Sequence, residues 1–168
     1  LLSGTGLPGE KWQKKNSTGQ SEFVEFISGG PKFNLLRGAP NAHIKHSAWN
    51  TQGEKVFNVD YFYDNFGRRI VNENDQLKIT PKEFAIFFGC ADLLGLGLNS
   101  ADTIPTIFSS KMPAYRSYNY GFPIVGAQYV LRMVETIDFA SEIAEKNGLL
   151  IYVITEGHYA TSAETFLQ

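Results

Sequence analysis

The 168 residues are 43% hydrophobic and carry 15 basic against 17 acidic side chains, a formal net charge of -2. That is enough chain and enough apolar content for one packed domain, and the charge balance excludes a strong electrostatic footprint on nucleic acid or an anionic membrane. A single cysteine, Cys90, excludes an internal disulfide framework and any multi-cysteine metal site, and no apolar run reaches the roughly 18 to 20 residues that cross a bilayer.

Residues 1–40 are rich in Gly, Pro, Ser and Lys, with one brief apolar cluster at Phe23, Val24, Phe26 and Ile27, and read as an irregular leader. The first twenty lack the basic start and apolar core of a complete signal peptide and are expected to form a loosely docked arm. Residues 41–80 read as a β-hairpin extension. HIKHSAW and KVFNVDYFY are β-rich and flank the polar turn Asn50-Thr51-Gln52-Gly53. Turn formers follow from Asp64 to Arg69 and again from Asn72 to Asp75.

Residues 81–168 carry the α/β signal. The run from Glu83 to Phe88, ending at Gly89, suits a strand buried on both faces. Second and third strands are predicted over 115–120 and 149–154, each ending near a glycine, Gly121 and Gly157. A short helix is expected over 101–110, and a longer one over 128–146 that stops at Asn147-Gly148. Strand, helix, strand, helix, strand predicts βαβ crossovers and a mainly parallel sheet in a three-layer α/β sandwich. Ligands of such sheets bind beyond the carboxyl ends of the strands, here Gly89 to Asp92, Asn119 to Pro123 and Thr155 to His158.

The segment FFGCADLLGLGLN, followed by YRSYNYGFPIVGAQYVLRMVE, resembles the first two sequence blocks of the SGNH (GDSL-type) hydrolases, a family of esterases and O-acyltransferases. The resemblance covers about half of the chain. It implies that the nucleophilic serine's place is held by Ala91, whose methyl group cannot attack an ester carbonyl. It also implies that the oxyanion-hole glycine of the second block is replaced by Ile124, a β-branched residue that adds bulk. The third block has no GxND, the nearest match being Glu156-Gly157-His158, and no Asp is followed three positions later by His to supply the base.

The expectation is therefore an SGNH-like pseudoenzyme that is silent as given and binds an acylated carbohydrate or ester in a cleft lined by Ala91, Asp92, Asn119, Gly121 and His158. No cofactor and no metal is expected, and the resemblance points to the cell envelope or to secretion. The alternatives are an active esterase or acetyltransferase carrying a Ser-to-Ala change, with its Asp and His outside this stretch, and a non-catalytic interaction domain.

Other candidates fare worse on the residues alone. Cys90 adjoins the nucleophile position without an identifiable base, and reads as a small buried hydrophobe. His43 and His46 are three apart, which on a strand sends them to opposite faces and argues against joint metal ligation. Gly95-Leu96-Gly97 fails the dinucleotide spacing at Ser100. Tyr115, Tyr118, Tyr120 and Phe122 near the cleft suit sugar stacking or, more ordinarily, sheet packing.

Overall fold

A computed structural model describes residues 11–16, 23–26, 35–71, 80–123 and 126–155. Its strands are β1 (Lys11–Asn16), β2 (Phe23–Phe26), β3 (Leu35–Gly38), β4 (His43–Trp49), β5 (Lys55–Phe62), β6 (Glu83–Gly89), β7 (Tyr115–Gly121) and β8 (Gly148–Val153). The helices are α1 (Ala91–Leu94), α2 (Ile104–Lys111), α3 (Ala127–Thr136) and α4 (Phe139–Glu142), with a 3-10 turn at Ser100–Asp102.

The fold is mixed α/β. β7, β6 and β8 form a parallel sheet in that order, with β6 central, while β1, β4 and β5 form an antiparallel sheet and β2 pairs with β3. The central place of β6 follows from its composition: Ala85, Ile86, Phe87 and Phe88 are all buried, so both faces need cover. Ile86 and Phe88 pack with Val130 and Met133 of α3 and with Ile137 and Ile143. Ala85 and Phe87 face the other way, toward Leu93 of α1 and Phe108 of α2. β8 is less covered: Leu149 and Leu150 at its start are exposed.

The hairpin lies where alternation and turn chemistry place it. β4 alternates exposed and buried residues, and the turn closes through Asn50, whose Oδ1 accepts from the Gln52 and Glu54 amides while Gly53 takes φ 81°. Gly67 also lies in left-handed space, at φ 72°, and its backbone presses on β3. A Cβ added at Gly67 would overlap the Gly38 carbonyl, and one at Gly38 would overlap the Tyr63 ring and come within 2.7 Å of the Gly67 carbonyl.

Two sequence expectations need correction. The stretch read as an irregular leader contains three strands: β1 runs antiparallel along β4, from Lys11 opposite Trp49 to Asn16 opposite Ile44, and β2 and β3 pair with each other. β1 is specified by a partner distant in sequence, which local composition does not report, and β2 and β3 are short strands in a Gly-, Pro- and Ser-rich stretch that reads locally as coil. The single helix expected over 128–146 is two helices. Ile137 is extended, at φ -79° and ψ 128°, and the chain restarts at Phe139 before Ile143 is extended again. Burial of Ile137 and Ile143 in the core below the sheet overrides the helical periodicity of the intervening residues.

Candidate functional site

The strand order places consecutive crossovers on either side of β6, which makes the carboxyl end of β6 the topological switch point of the sheet. Gly89 there is level with Gly121 of β7 and Val153 of β8. Cys90 turns the chain, its carbonyl accepting from the Leu93 and Leu94 amides, and Ala91 opens α1. Gly95 ends that single turn in left-handed conformation, at φ 80°, and donates its amide to the Ala91 carbonyl at 3.0 Å. Ala91 thus occupies a strand-to-helix turn, half-buried, with Asp92 beside it exposed to solvent.

Asn119 and Gly121 come to the same edge and pack against α1. Asn119 is 2% exposed; its Nδ2 donates to the Leu93 carbonyl at 3.1 Å, and its Oδ1 accepts from the Gly121 amide at 2.8 Å. Both ends of the amide are used by backbone, so Asn119 ties β7 to α1. Gly121 approaches α1 so closely that an added Cβ would lie 2.5 Å from the Leu94 nitrogen. Phe122 continues the contact by donating its amide to the Gly89 carbonyl at 3.0 Å. Ala91, Asn119 and Gly121 are therefore brought together. Ile124, Glu156 and His158 lie outside the described residues.

A small pocket opens beside this cluster, bounded by Arg37 and Arg68 on one side and by Asn119, Tyr120, Gly121 and Phe122 on the other. It has room for about one water molecule. Neither Ala91 nor Asp92 lines it. Arg37 comes from β3 and Arg68 from the turn that follows β5, and neither was visible as a site candidate in the sequence. Arg37 Nη1 is 2.8 Å from Glu142 Oε1 of α4, and Arg68 Nε donates to Asp64 Oδ2 at 2.7 Å. Arg68 Nη1 also donates to the Tyr120 hydroxyl at 3.1 Å, and that hydroxyl donates to Glu142 Oε2 at 2.8 Å. Burial pushes the Tyr120 phenol well above its usual range, with Glu142 adding to the effect and Arg68 opposing it.

Arg69 makes a second clamp. Its guanidinium stacks 3.8 Å over the Tyr61 ring and donates to the carbonyls of Leu94, Gly95 and Leu98, which fixes the loop that follows α1. Tyr61 reinforces it, accepting from the Gly97 amide at 2.6 Å. The sequence signal was the Arg68-Arg69 pair at the end of the segment Asp64 to Arg69, which read only as turn formers. Gly95 and Gly97, at φ 80° and 78°, serve this loop's turns.

The remaining candidates are placed as follows. His43 is exposed, bonded to Asp60 Oδ1 at 2.7 Å and stacked on Phe62, while His46 is buried and stacked on Tyr61. The two do point to opposite faces. Cys90 is a half-buried free thiol. Tyr115 packs edge-on against Phe108, and Phe122 stacks on Tyr129, so these rings serve packing. Among the described residues no three His, Cys, Asp or Glu side chains converge on a possible metal position, and no helix is long and apolar enough to cross a membrane.

Tyr118 offers a titration test of this region. Its hydroxyl donates to Glu145 Oε2 at 2.7 Å, and partial burial, reinforced by Glu145, pushes its pKa from 10.0 up to about 12. The unfolded chain therefore loses this proton first, so the stability contributed by the neutral phenol is complete below the unfolded value and is lost as pH rises toward the folded one. The urea midpoint is expected to fall more steeply over that window in the parent than in Tyr118→Phe. Parallel profiles would refute the assignment.

The chain matches no known protein-family model and no curated protein sequence.

Proposed function

We propose that this protein is an SGNH-like α/β domain, of three-layer type, that is catalytically silent at Ala91 and binds an acylated carbohydrate or ester at the carboxyl edge of the parallel sheet. The observation that carries the reading is the place of Ala91: the first residue of a helical turn directly after the central strand, half-buried, at the switch point, with Asn119 and Gly121 packed against Leu93 and Leu94 of that same turn. Helical cover on both faces of β6 supports the layered arrangement.

An α/β hydrolase uses such a turn to present a nucleophile, because the sharp exit exposes one side chain above the sheet and leaves backbone N–H groups at the start of the helix to face developing charge. A methyl group at that place leaves the turn without a nucleophile. Binding then rests on shape and on backbone donors, and Asp92 is the exposed polar group nearest the turn.

Two measurements test the reading together. Saturation-transfer NMR with an acetylated xylo-oligosaccharide is expected to give a saturable signal that the deacetylated sugar does not. The Ala91→Ser variant is expected to stay inactive toward p-nitrophenyl acetate and unlabelled by a fluorophosphonate, since neither a base nor the second-block glycine is restored. An absent NMR signal overturns the binding reading. Activity in the variant instead identifies an esterase lacking only its serine.

A further inference from the structure

Asn147-Gly148, which the sequence offers as a helix stop, leads directly into β8. Asn147 alone among the asparagines of the chain is followed by glycine. Its carbonyl accepts from the Phe84 amide at 2.9 Å, and Gly148 stands opposite Phe84 in the parallel register. Both residues are exposed, as are Leu149 and Leu150 after them.

The fold requires this glycine, because a Cβ at position 148 would overlap the Phe84 carbonyl and crowd its ring. In a parallel ladder Phe84 bonds to the residues on either side of Gly148, so the Gly148 N–H points away from β6. β8 is an edge of its sheet, and among the described residues no strand lies beyond it. The Gly148 nitrogen is therefore open to solvent and unshielded by a side chain of its own. The Asn147 side chain is equally open. Hydrogen bonds hold the amides of Asn50, Asn58 and Asn119, whereas that of Asn147 has no partner among the described residues.

We propose that Asn147-Gly148 is a site of spontaneous deamidation and isomerisation, and that the isoaspartyl product releases the start of β8 from β6. The Gly148 nitrogen, losing its proton to water, attacks Asn147 Cγ; the Cγ–Nδ2 bond breaks, and Nδ2 takes a proton and leaves as ammonia. Attacker and target are neighbours on one chain, so ring closure to a succinimide needs no encounter. Water then opens the ring. Cleavage at Cγ gives aspartate, and cleavage at the main-chain carbonyl gives isoaspartate, whose main chain runs through Cγ and is longer by a methylene. The net change is hydrolysis of one amide by one water, with no redox step. In the isoaspartyl form the carbonyl that accepts from Phe84 becomes a free carboxylate outside the strand. The exposed Leu149 and Leu150 add little to hold the strand there, so local opening costs little. The site lies at the amino end of β8, the opposite end of the sheet from Ala91, and does not rest on the binding reading.

Ageing the whole folded chain in warm neutral buffer, followed by proteolysis and peptide mass mapping, tests the proposal. Asn147 is expected to convert at least about tenfold faster than Asn50, Asn99 or Asn119, since only glycine leaves the attacking nitrogen unhindered. Its rate is expected to approach that of a synthetic peptide of residues 143–152, with isoaspartate, read by an isoaspartyl methyltransferase, as the larger product. Asn147→Gln, a change at an exposed position, is expected to leave that peptide's mass constant and the circular dichroism parent-like. The aged form, separated by anion exchange, is expected to exchange its β8 amides faster than the fresh chain, with β7 unchanged. Conversion no faster than at Asn99, a rate far below that of the peptide, or a mass gain that persists in Asn147→Gln overturns the modification site. Unchanged exchange in β8 overturns its structural consequence.

Discussion

Replacing Arg69 with alanine is expected to lower stability by about 3–5 kcal/mol, read as a fall in the urea midpoint with little change in slope. Arg69 is 2% exposed, and its guanidinium serves three backbone carbonyls at and after the end of α1 while sitting over the Tyr61 ring. Its removal takes that donor from the Leu94, Gly95 and Leu98 carbonyls and opens a cavity over the Tyr61 ring, and both effects destabilise. Arg69→Lys keeps the charge but loses the planar fork, so it is expected to recover only part of the loss. A cost below about 1 kcal/mol for Arg69→Ala would mean that the loop is held by other contacts.

Gly121→Ala is expected to be the second large effect, about 2–3 kcal/mol, although it adds a single methyl group. The added carbon would lie 2.5 Å from the Leu94 nitrogen and 2.9 Å from its Cα, and these are backbone atoms that cannot rotate away. Relief requires α1 to move off β7, which also pulls Asn119 from the Leu93 carbonyl. Thermal unfolding by circular dichroism measures it. A parent-like melting temperature would show that α1 is free to shift, and would remove the argument that this edge is rigidly organised.

The strands of the parallel sheet were legible because a buried strand must be apolar on both faces, and the run from Phe84 to Phe88 allows nothing else. The hairpin was legible because alternation from Ile44 to Ala48 and a turn built on Asn50 and Gly53 are both local signals. β1, β2 and β3 were not: the partner of β1 lies far along the chain, and β2 and β3, though they pair with each other, are short and set among Gly, Pro and Ser that speak for coil. The break at Ile137 was hidden for a related reason: helical spacing continues through it, and only the demand of the core for Ile137 and Ile143 interrupts the helix.

At the candidate site, the strand-end position of Ala91 and its neighbourhood with Gly121 could be read from the motif. The part played by Asn119 could not, because an asparagine at a strand end looks the same whether it greets a ligand or ties two elements. Arg37, Arg68 and Arg69 were missed because charged residues in turn-rich sequence ordinarily face water. Here the cost of burying them is offset by the neighbouring Asp64 and, from distant segments, by Glu142 and backbone carbonyls, the latter a compensation that sequence spacing does not display.

The contact between Gly38 and Gly67 constrains how this sequence can drift. Each glycine is required by the backbone of the other, so a side chain at either position forces β3 away from the turn. Once that separation has happened, the second position no longer faces the same wall, and its own replacement costs less than it would have alone. The two sites therefore share part of their penalty, so related sequences that lose one glycine are under less pressure to keep the other, although Gly67 still answers to its φ of 72° and Gly38 to the Tyr63 ring.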